Sequence, residues 1–235
     1  GASITTDGNT AQLTLTSTDT DASKGALLLL NRNSASPADN DLCGSIQCFA
    51  KNDAGEDVSL VDIIVRIEDV TDGTEDGQII INCIRNGSQT GVMKMASSET
   101  IMNYDEVDLD FRVASNNNSN MLFVDGGNDI VAIGKSGSHT VGGFKNTLQI
   151  DGTGATTSSI SVTRNTNDSN PAYMQFGKSR GTSVGSNTIV QDDDEIAQIT
   201  FNAADGTNRD TPAASIRCAV DGTPGENDMP GRLTF

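Results

Sequence analysis

The feature that most constrains the fold is an internal repeat, because short apolar motifs recur in the same order in two parts of the chain. The first copy comprises residues 9–15, 30–33, 41–46, 65–67 and 74–79; the second comprises residues 146–150, 163–165, 194–199, 216–218 and 227–233. The second copy stops at Phe235, where a strand is expected to continue, and the chain begins without methionine at Gly1. We therefore expect a segment of a longer, serially repeated protein, an organisation typical of rods and fibres.

Composition predicts an all-β fold. Aromatic residues make up 4% of the chain and Trp is absent, while Gly, Asn, Asp, Ser and Thr are abundant. Such a composition favours short strands joined by many turns. A hydrophobic content of 35% is lean for one large core, so we predict two repeated small modules, β-sandwich-like or β-prism in form.

Alternation of apolar and polar residues is the dominant period and indicates half-buried strands. Residues 58–67 could also form an amphipathic helix, but β-branched residues dominate this segment, so we predict a strand. Residues 77–85 differ from the others, because Ile79, Ile81 and Cys83 occupy one face while Ile80 and Ile84 occupy the other. A strand that is apolar on both faces is covered on both faces, and we expect another subunit to supply the second cover.

The repeat divides the chain into three predicted regions. Residues 1–102 form a first β module, residues 103–145 a β-hairpin connector with strands at 109–113, 121–124 and 130–133, and residues 146–235 a second, truncated module. The second copy carries an insertion at residues 173–190 that the first copy lacks. Insertions mark the places where repeat modules diverge in surface properties, so we expect receptor contacts there first.

Charge excludes several classes of partner. The net charge is −17, with 32 acidic and 15 basic residues. Nucleic acid is disfavoured because phosphate binding needs clustered Lys and Arg, and an anionic membrane would repel the chain. No stretch approaches the roughly 18 apolar residues of a membrane span, so we predict no membrane insertion.

The sequence offers little for catalysis, and we predict no catalytic, cofactor-binding or metal-binding residue and no enzymatic activity. The only histidine, His139, lies in a Gly/Ser-rich loop and is interpreted as solvated. Acidic clusters could cleave a glycosidic bond or bind calcium, but aromatic platforms for a sugar are scarce and no calcium-loop pattern is present. We interpret them as solvated turns, with a stabilising cation as the alternative; they comprise Asp105, Glu106, Asp108 and Asp110, then Asp192, Asp193, Asp194 and Glu195, and finally Asp19 and Asp21.

The four cysteines show no metal-ligand spacing. Cys43, Cys48, Cys83 and Cys218 each lie inside an apolar, strand-like run. Because cysteine behaves as a small hydrophobic residue, we predict buried free thiols.

Two motifs of the connector carry a resemblance to a known family. Residues 108–113, Asp-Leu-Asp-Phe-Arg-Val, and residues 122–134, Leu-Phe-Val-Asp-Gly-Gly-Asn-Asp-Ile-Val-Ala-Ile-Gly, resemble motifs of tail fibres and other appendage proteins of tailed bacteriophages, particularly marine ones. Residues 176–185, 221–225 and 229–233 look like the module that such fibres place before their C-terminal regions. One departure is Ala132, where the family often has glycine.

The resemblance implies an elongated, intertwined homotrimer located in the virion tail and outside the cell. Its implied partners are its own copies, other virion tail proteins, and a polysaccharide or protein of the bacterial surface. We therefore predict a structural and adhesive segment of a bacteriophage tail fibre, which forms a rigid shaft and presents loops for host attachment. Two alternatives stay open: a polysaccharide-degrading tailspike, and a virion decoration protein or extracellular filament subunit.

Overall fold

The fold consists of strands and loops. The structure is a computed structural model that describes residues 1–22 and 25–235, and these residues contain no helix. The predicted all-β class is therefore confirmed, and the described part of the chain also contains no helix that could cross a membrane. The chain divides into two compact units, Gly1–Glu106 and Val107–Phe235, which are described one at a time.

The first unit contains one open antiparallel sheet of five strands in sequence order. The strands are β1 (Leu42–Lys51), β2 (Asp57–Asp69), β3 (Asp76–Arg85), β4 (Ser88–Met95) and β5 (Thr100–Met102). The prediction that residues 58–67 form a strand rather than a helix is confirmed by β2. Short turns join the strands, and Gly55 and Gly73 adopt the left-handed backbone that two of these turns require (φ 83° and 87°).

Strand β3 is apolar on both faces, as predicted, but its two faces are covered differently. Ile80 is only 5% exposed within the single chain, whereas Ile79, Ile81 and Cys83 on the other face are half-buried. Cover of one face of β3 by another subunit stays a prediction, but Ile80 does not need it. The chain itself buries this side chain, and it is the opposite face that stays partly open.

The second unit begins with a four-stranded sheet in which three strands are antiparallel and the last is parallel to its neighbour. The strands are β6 (Phe111–Val113), β7 (Leu122–Asp125), β8 (Ile130–Ile133) and β11 (Leu148–Ile150), in the order β11-β8-β7-β6. A small core of Phe123, Ile130 and Ala132 lies on one face. The connection from β8 to β11 contains a short hairpin of β9 (Thr140–Val141) and β10 (Phe144–Lys145).

The three strands predicted for the connector are present as β6, β7 and β8. Strand β11, which the sequence prediction assigns to the second module, pairs with β8 in this sheet. The module boundaries at residues 102/103 and 145/146 stay predictions.

The turn between β7 and β8 needs glycine because the chain passes close to it. A Cβ atom on Gly126 would lie 2.6 Å from the carbonyl oxygen of Leu109, and one on Gly127 would lie 2.6 Å from the Asp108 carboxylate. The Asp125 carboxylate accepts hydrogen bonds from the backbone N–H groups of Gly127 and Asn128. These glycines therefore serve a hairpin turn, as the sequence indicates, and close packing is the physical reason.

The second unit ends in a three-stranded antiparallel sheet whose first hairpin has the register of β1 and β2. Its strands are β12 (Glu195–Asn202), β13 (Pro212–Val220) and β14 (Gly231–Thr234). Every partner pair from Leu42↔Arg66 to Phe49↔Ser59 recurs 153 residues later, from Glu195↔Ala219 to Asn202↔Pro212. Both β-bulges also recur; they lie between Leu42/Gly44 and Cys48/Phe49 in one hairpin and between Glu195/Ala197 and Phe201/Asn202 in the other.

The residue two positions before each hairpin is alike as well. Asn40 and Asp193 both have a left-handed φ of 67°, which Asn and Asp adopt more readily than most residues. The Asn40 N–H donates to the Ile67 carbonyl at 2.9 Å, and the Asp193 N–H donates to the Val220 carbonyl at 3.2 Å. The two hairpins thus share their entry as well as their register.

Candidate functional site

Apart from Arg85 at the end of β3, one face of the first sheet carries only uncharged side chains. Directly paired residues of neighbouring strands lie on the same face of a sheet, so the register assigns the members. This surface, the first apolar face, comprises Gly44, Ile46, Cys48, Val61, Ile63, Val65, Ile67, Gly77, Ile79, Ile81, Cys83, Thr90, Met93, Met95, Thr100 and Met102.

The described chain leaves the first apolar face largely uncovered. Ile46 is 50% exposed and Val65 is 41% exposed, and none of the isoleucine, valine, methionine or cysteine side chains on this face is buried. Leu30 reaches only the β1 edge, where a Cβ added to Gly44 would lie 3.3 Å from the Leu30 Cβ. A continuous apolar surface in the middle of a sheet is therefore in contact with solvent in the single chain.

The opposite face of the same sheet is more protected and mixes polar and charged side chains with isoleucines, namely Ile64, Ile80, Ile84 and Ile101. Gln47 donates to the Asp62 carboxylate at 3.0 Å across β1 and β2, and the Lys94 ammonium lies 5.3 Å from the centre of the Tyr104 ring. Ile80 is buried on this face. The two faces of one sheet are thus chemically distinct, and the apolar one is the one left open.

The sheet of β12, β13 and β14 repeats this pattern. Ile199, Phe201 and Leu233 are 43%, 53% and 59% exposed. The pairings place them on one face, the second apolar face, together with Ala197, Ala214, Ile216 and Cys218. Val220 at the end of β13 continues this face and is buried. Each sheet that follows the shared register therefore presents one apolar face that is largely uncovered.

A cluster of polar side chains surrounds His139 in the connection between β8 and β11. Lys135 Nζ lies 2.5 Å from His139 Nδ1 and 3.3 Å from both the Gln149 side-chain oxygen and the Asp151 carboxylate. His139 Nε2 is 3.5 Å from the other Asp151 oxygen, and the backbone N–H of His139 donates to the side-chain oxygen of the buried Gln149. His139 lies in a loop, as predicted, but its side chain is only 33% exposed and contacts these groups.

A cavity of about 390 Å³ adjoins this cluster. The β12–β13 turn forms one side of it, and His139 and Thr140 form the other; its lining residues are His139, Thr140, Ala204, Gly206, Thr207, Asn208 and Arg209. The Gly142 N–H donates to the Arg209 carbonyl at 3.0 Å, which fixes the backbone of Arg209 against the β9–β10 hairpin. Arg209 and Lys135 were not among the residues that the sequence singled out, since their proximity to His139 depends on the tertiary fold.

The four acidic residues at the start of β12 each have a partner of their own. Asp193 contacts Arg232 at 2.7 Å, and Glu195 contacts Arg217 at 3.1 Å. Asp194 forms a two-point ion pair with Arg180, at 2.7 Å for both contacts. The remaining residue, Asp192, accepts from the backbone N–H of Gly222 at 2.6 Å. The predicted solvated turn is present, because residues 192–193 form a turn in which Asp192 and Asp193 are exposed, as is Glu195 after it. The carboxylates also link this turn to neighbouring strands and loops.

The Asp194–Arg180 pair joins the predicted insertion to β12. The Arg180 guanidinium, followed by the Gln191 N–H, holds the pKa of Asp194 well below its ordinary range. The Asp194 side chain is 15% exposed. The middle of the insertion is thereby fixed next to the sheet, whereas Tyr173, Met174 and Val184 within residues 173–190 are exposed. Receptor contact by this insertion stays a prediction.

Replacing Arg180 should lower the stability of the folded chain more at neutral pH than at acid pH. Because the folded pKa of Asp194 is depressed, the stability it contributes is present above its unfolded pKa of about 3.9 and is lost as pH falls through the folded value. We expect Arg180→Gln to lower the melting temperature at pH 7 by about 2–4 °C, with the difference from wild type shrinking below about pH 4. Melting curves between pH 7 and 2 measure this.

Arg217→Gln is the matched control for that change, because its partner Glu195 is 56% exposed and exposed pairs contribute little. A difference for Arg180→Gln that stays constant down to pH 2 would contradict the role given to Asp194.

Three carboxylates of the other two acidic clusters accept hydrogen bonds from backbone N–H groups. Asp105 accepts from the Gly91 N–H at 2.6 Å, Asp110 from the Gly126 N–H at 3.2 Å, and Asp19 from the Asp21 N–H at 3.2 Å. Within residues 1–22 and 25–235, no group of three or more His, Cys, Asp or Glu side chains is placed to hold a metal ion.

The four cysteines are free thiols, but none is buried in the single chain. Cys48 is exposed, and Cys43, Cys83 and Cys218 are half-buried. The prediction of buried thiols is therefore wrong for the single chain. Cys48 and Cys83 lie on the first apolar face and Cys218 lies on the second, so their exposure follows from the uncovered faces.

Comparison with known proteins found no matching family model, no similar curated protein and no similar solved structure.

Proposed function

We propose that this chain is a structural and adhesive segment of a homotrimeric bacteriophage tail fibre, located in the virion tail outside the cell. The observation that carries the proposal is the uncovered first apolar face. A sheet with one apolar face is stable when that face packs against another layer, and the first unit contains a single sheet. Copies of the same chain supply the missing layer.

The size of the first apolar face supports self-association. Five strands spaced about 4.8 Å apart, with roughly seven residues each at about 3.3 Å per residue, present roughly 500 Å². Two such faces together bury about 1,000 Å², which is where specific interfaces begin. The absence of charged side chains among the members of this face favours packing against another apolar surface, and a second copy offers one of the same composition.

The shared register of the two hairpins supports repetition along a shaft. We propose that β1–β2 and β12–β13 are copies of one module, because register, bulges and the left-handed entry residue all recur. Each copy then presents its apolar face to the equivalent copies in neighbouring chains, as a sandwich or prism built from several subunits. The number of three chains is implied by the resemblance alone.

A structural role fits the acidic residues better than glycoside cleavage does. Glycosidases use a pair of carboxyl groups that are free to act on the substrate. Here Asp193, Asp194 and Glu195 are each held by an arginine. We therefore propose a non-enzymatic fibre that presents its loops, the insertion among them, to a polysaccharide or protein of the bacterial surface.

The solution mass of the purified chain tests the proposal. Light scattering should give three times the chain mass of 24.5 kDa, without change on addition of a calcium chelator. A stable, compact monomer would contradict the shared-core argument and favour a decoration protein. A mass that grows with concentration would instead favour a filament subunit.

A further inference from the structure

The cavity beside His139 combines a free cation with neutral hydrogen-bonding groups. No Asp or Glu lines it, although the chain contains 32 acidic residues. Two carboxylates on the same turn are engaged by the backbone: Asp205 accepts from the N–H groups of Thr207 and Asn208 at 2.7 and 2.9 Å, and Asp210 accepts from the Gly143 N–H at 3.1 Å. The charge that faces the cavity is therefore that of Arg209.

The guanidinium of Arg209 has no acceptor among the described residues. Its one polar neighbour is His139 Nε2, at 3.4 Å. The Lys135 ammonium can only donate, so its 2.5 Å contact assigns the lone pair to His139 Nδ1 and the proton to Nε2. Nε2 then points a proton towards Asp151 and offers nothing to Arg209. Lys135 and Asp151 thus keep the His139 ring in the tautomer that is protonated at Nε2, and the Arg209 guanidinium is left without a hydrogen-bond acceptor.

The equivalent turn of the first hairpin carries no such group. There Asn52 accepts from the N–H groups of Ala54 and Glu56, in the way Asp205 does in the second hairpin. The residues of that turn are Asn52, Asp53, Ala54, Gly55 and Glu56, none of them basic. The cation is therefore particular to the turn of the second hairpin.

We propose that this cavity binds a carboxylate-bearing sugar, such as a uronic acid residue of a bacterial surface polysaccharide. Arg209 would pair with the carboxylate through two parallel N–H···O bonds. The hydroxyls of Thr140 and Thr207 and the amide of Asn208 match the alternating donors and acceptors of sugar hydroxyls. A volume of about 390 Å³ is near the lower end for small-molecule sites and suits one sugar ring. This proposal deepens the adhesive role proposed above and rests on it.

The only histidine of the chain offers a direct measurement. With histidine labelled selectively, the ring signals of His139 are unambiguous in an NMR spectrum. Titration of the full chain with D-galacturonate should shift these signals in a saturable way, while D-galactose, which differs at the carboxylate, should shift them little. Inorganic phosphate separates a sugar site from a general anion site and should bind at least about tenfold more weakly than galacturonate.

Arg209→Gln should weaken galacturonate binding by at least about tenfold, because a hydrogen bond to a charged group is lost. Arg209 is exposed, so the variant should fold like wild type. Arg85→Gln is the matched control: Arg85 is also exposed, forms no ion pair among the described residues, and lies in the first unit, so its replacement should leave binding unchanged.

Equal affinity of wild type and Arg209→Gln, or no shift of the His139 signals at millimolar galacturonate, would overturn the site. Equal binding of galactose would overturn the role of the carboxylate, and equal binding of phosphate would overturn the assignment to a sugar. The titration does not depend on the solution mass. A monomeric chain that binds galacturonate would contradict the trimeric fibre and support the sugar site. A trimer that does not bind galacturonate would support the fibre and contradict the sugar site.

Discussion

Two lysines on the first apolar face should reduce the assembled protein to single chains. Ile46 and Val65 are on neighbouring strands of this face and are both more than 40% exposed, so Ile46→Lys/Val65→Lys leaves the single chain without a buried charge. In an assembly the same side chains are covered, and each unpaired buried ammonium is strongly unfavourable. We expect the mass measured by light scattering to fall to 24.5 kDa and the melting temperature to become independent of protein concentration.

The matched control introduces the same charges on the other face. Ser45 and Gln47 alternate with Ile46 along β1 and are exposed, so Ser45→Lys/Gln47→Lys should keep the wild-type mass. A second readout is the Cys48 thiol, which lies on the first apolar face. A maleimide should label it slowly in wild type and the control, and rapidly in Ile46→Lys/Val65→Lys. Equal masses for the two double variants would show that this face is not where chains meet.

The strands could be predicted from the sequence because their signal is local. Strand β2 follows from β-branched residues with a period of two, and the β7–β8 hairpin follows from the Asp-Gly-Gly-Asn turn at residues 125–128. The alignment of the two copies also anticipates that residues 42 and 195 begin equivalent strands. In each case a few neighbouring residues contain all the information that the conformation needs.

The covering of the sheets could not be predicted, because alternation identifies an apolar face without identifying its partner. For β3 the sequence shows two apolar faces, and it does not tell which of them the single chain covers. The single chain buries Ile80 on the face that also carries Gln47, Asp62 and Lys94. Ile80 is paired with Ile64 on one side and Lys94 on the other, whereas Val65 is paired with Gly44 and Ile79 and stays exposed.

The cavity could not be predicted from the sequence either. His139 stands in a Gly/Ser-rich segment that resembles a solvated loop, and Arg209 lies 70 residues away along the chain. Their meeting depends on the parallel pairing of β11 with β8, which places the buried Gln149 beside the connection. It also depends on the β9–β10 hairpin, whose Gly142 N–H holds the Arg209 carbonyl. Neither contact leaves a local pattern.

A charge at Ile80 should unfold the first sheet whether or not chains assemble. Ile80 is 5% exposed and lies in the central strand β3, so Ile80→Asp combines the loss of a buried side chain with an unpaired buried carboxylate. We expect a loss of at least about 3 kcal/mol in the free energy of unfolding, a large part of the stability of a typical domain.

Hydrogen exchange with mass spectrometry localises this effect. Amides of β1–β5 should lose protection in Ile80→Asp, while those of β6, β7, β8 and β11 keep it, because the two units are compact separately. Ile84→Asp is the control on the same strand: Ile84 is half-buried next to the β3–β4 turn, where the same substitution should lose about 1 kcal/mol. If Ile80→Asp instead separated the chains and left β1–β5 protected, Ile80 would belong to the contact between subunits and the first apolar face would not.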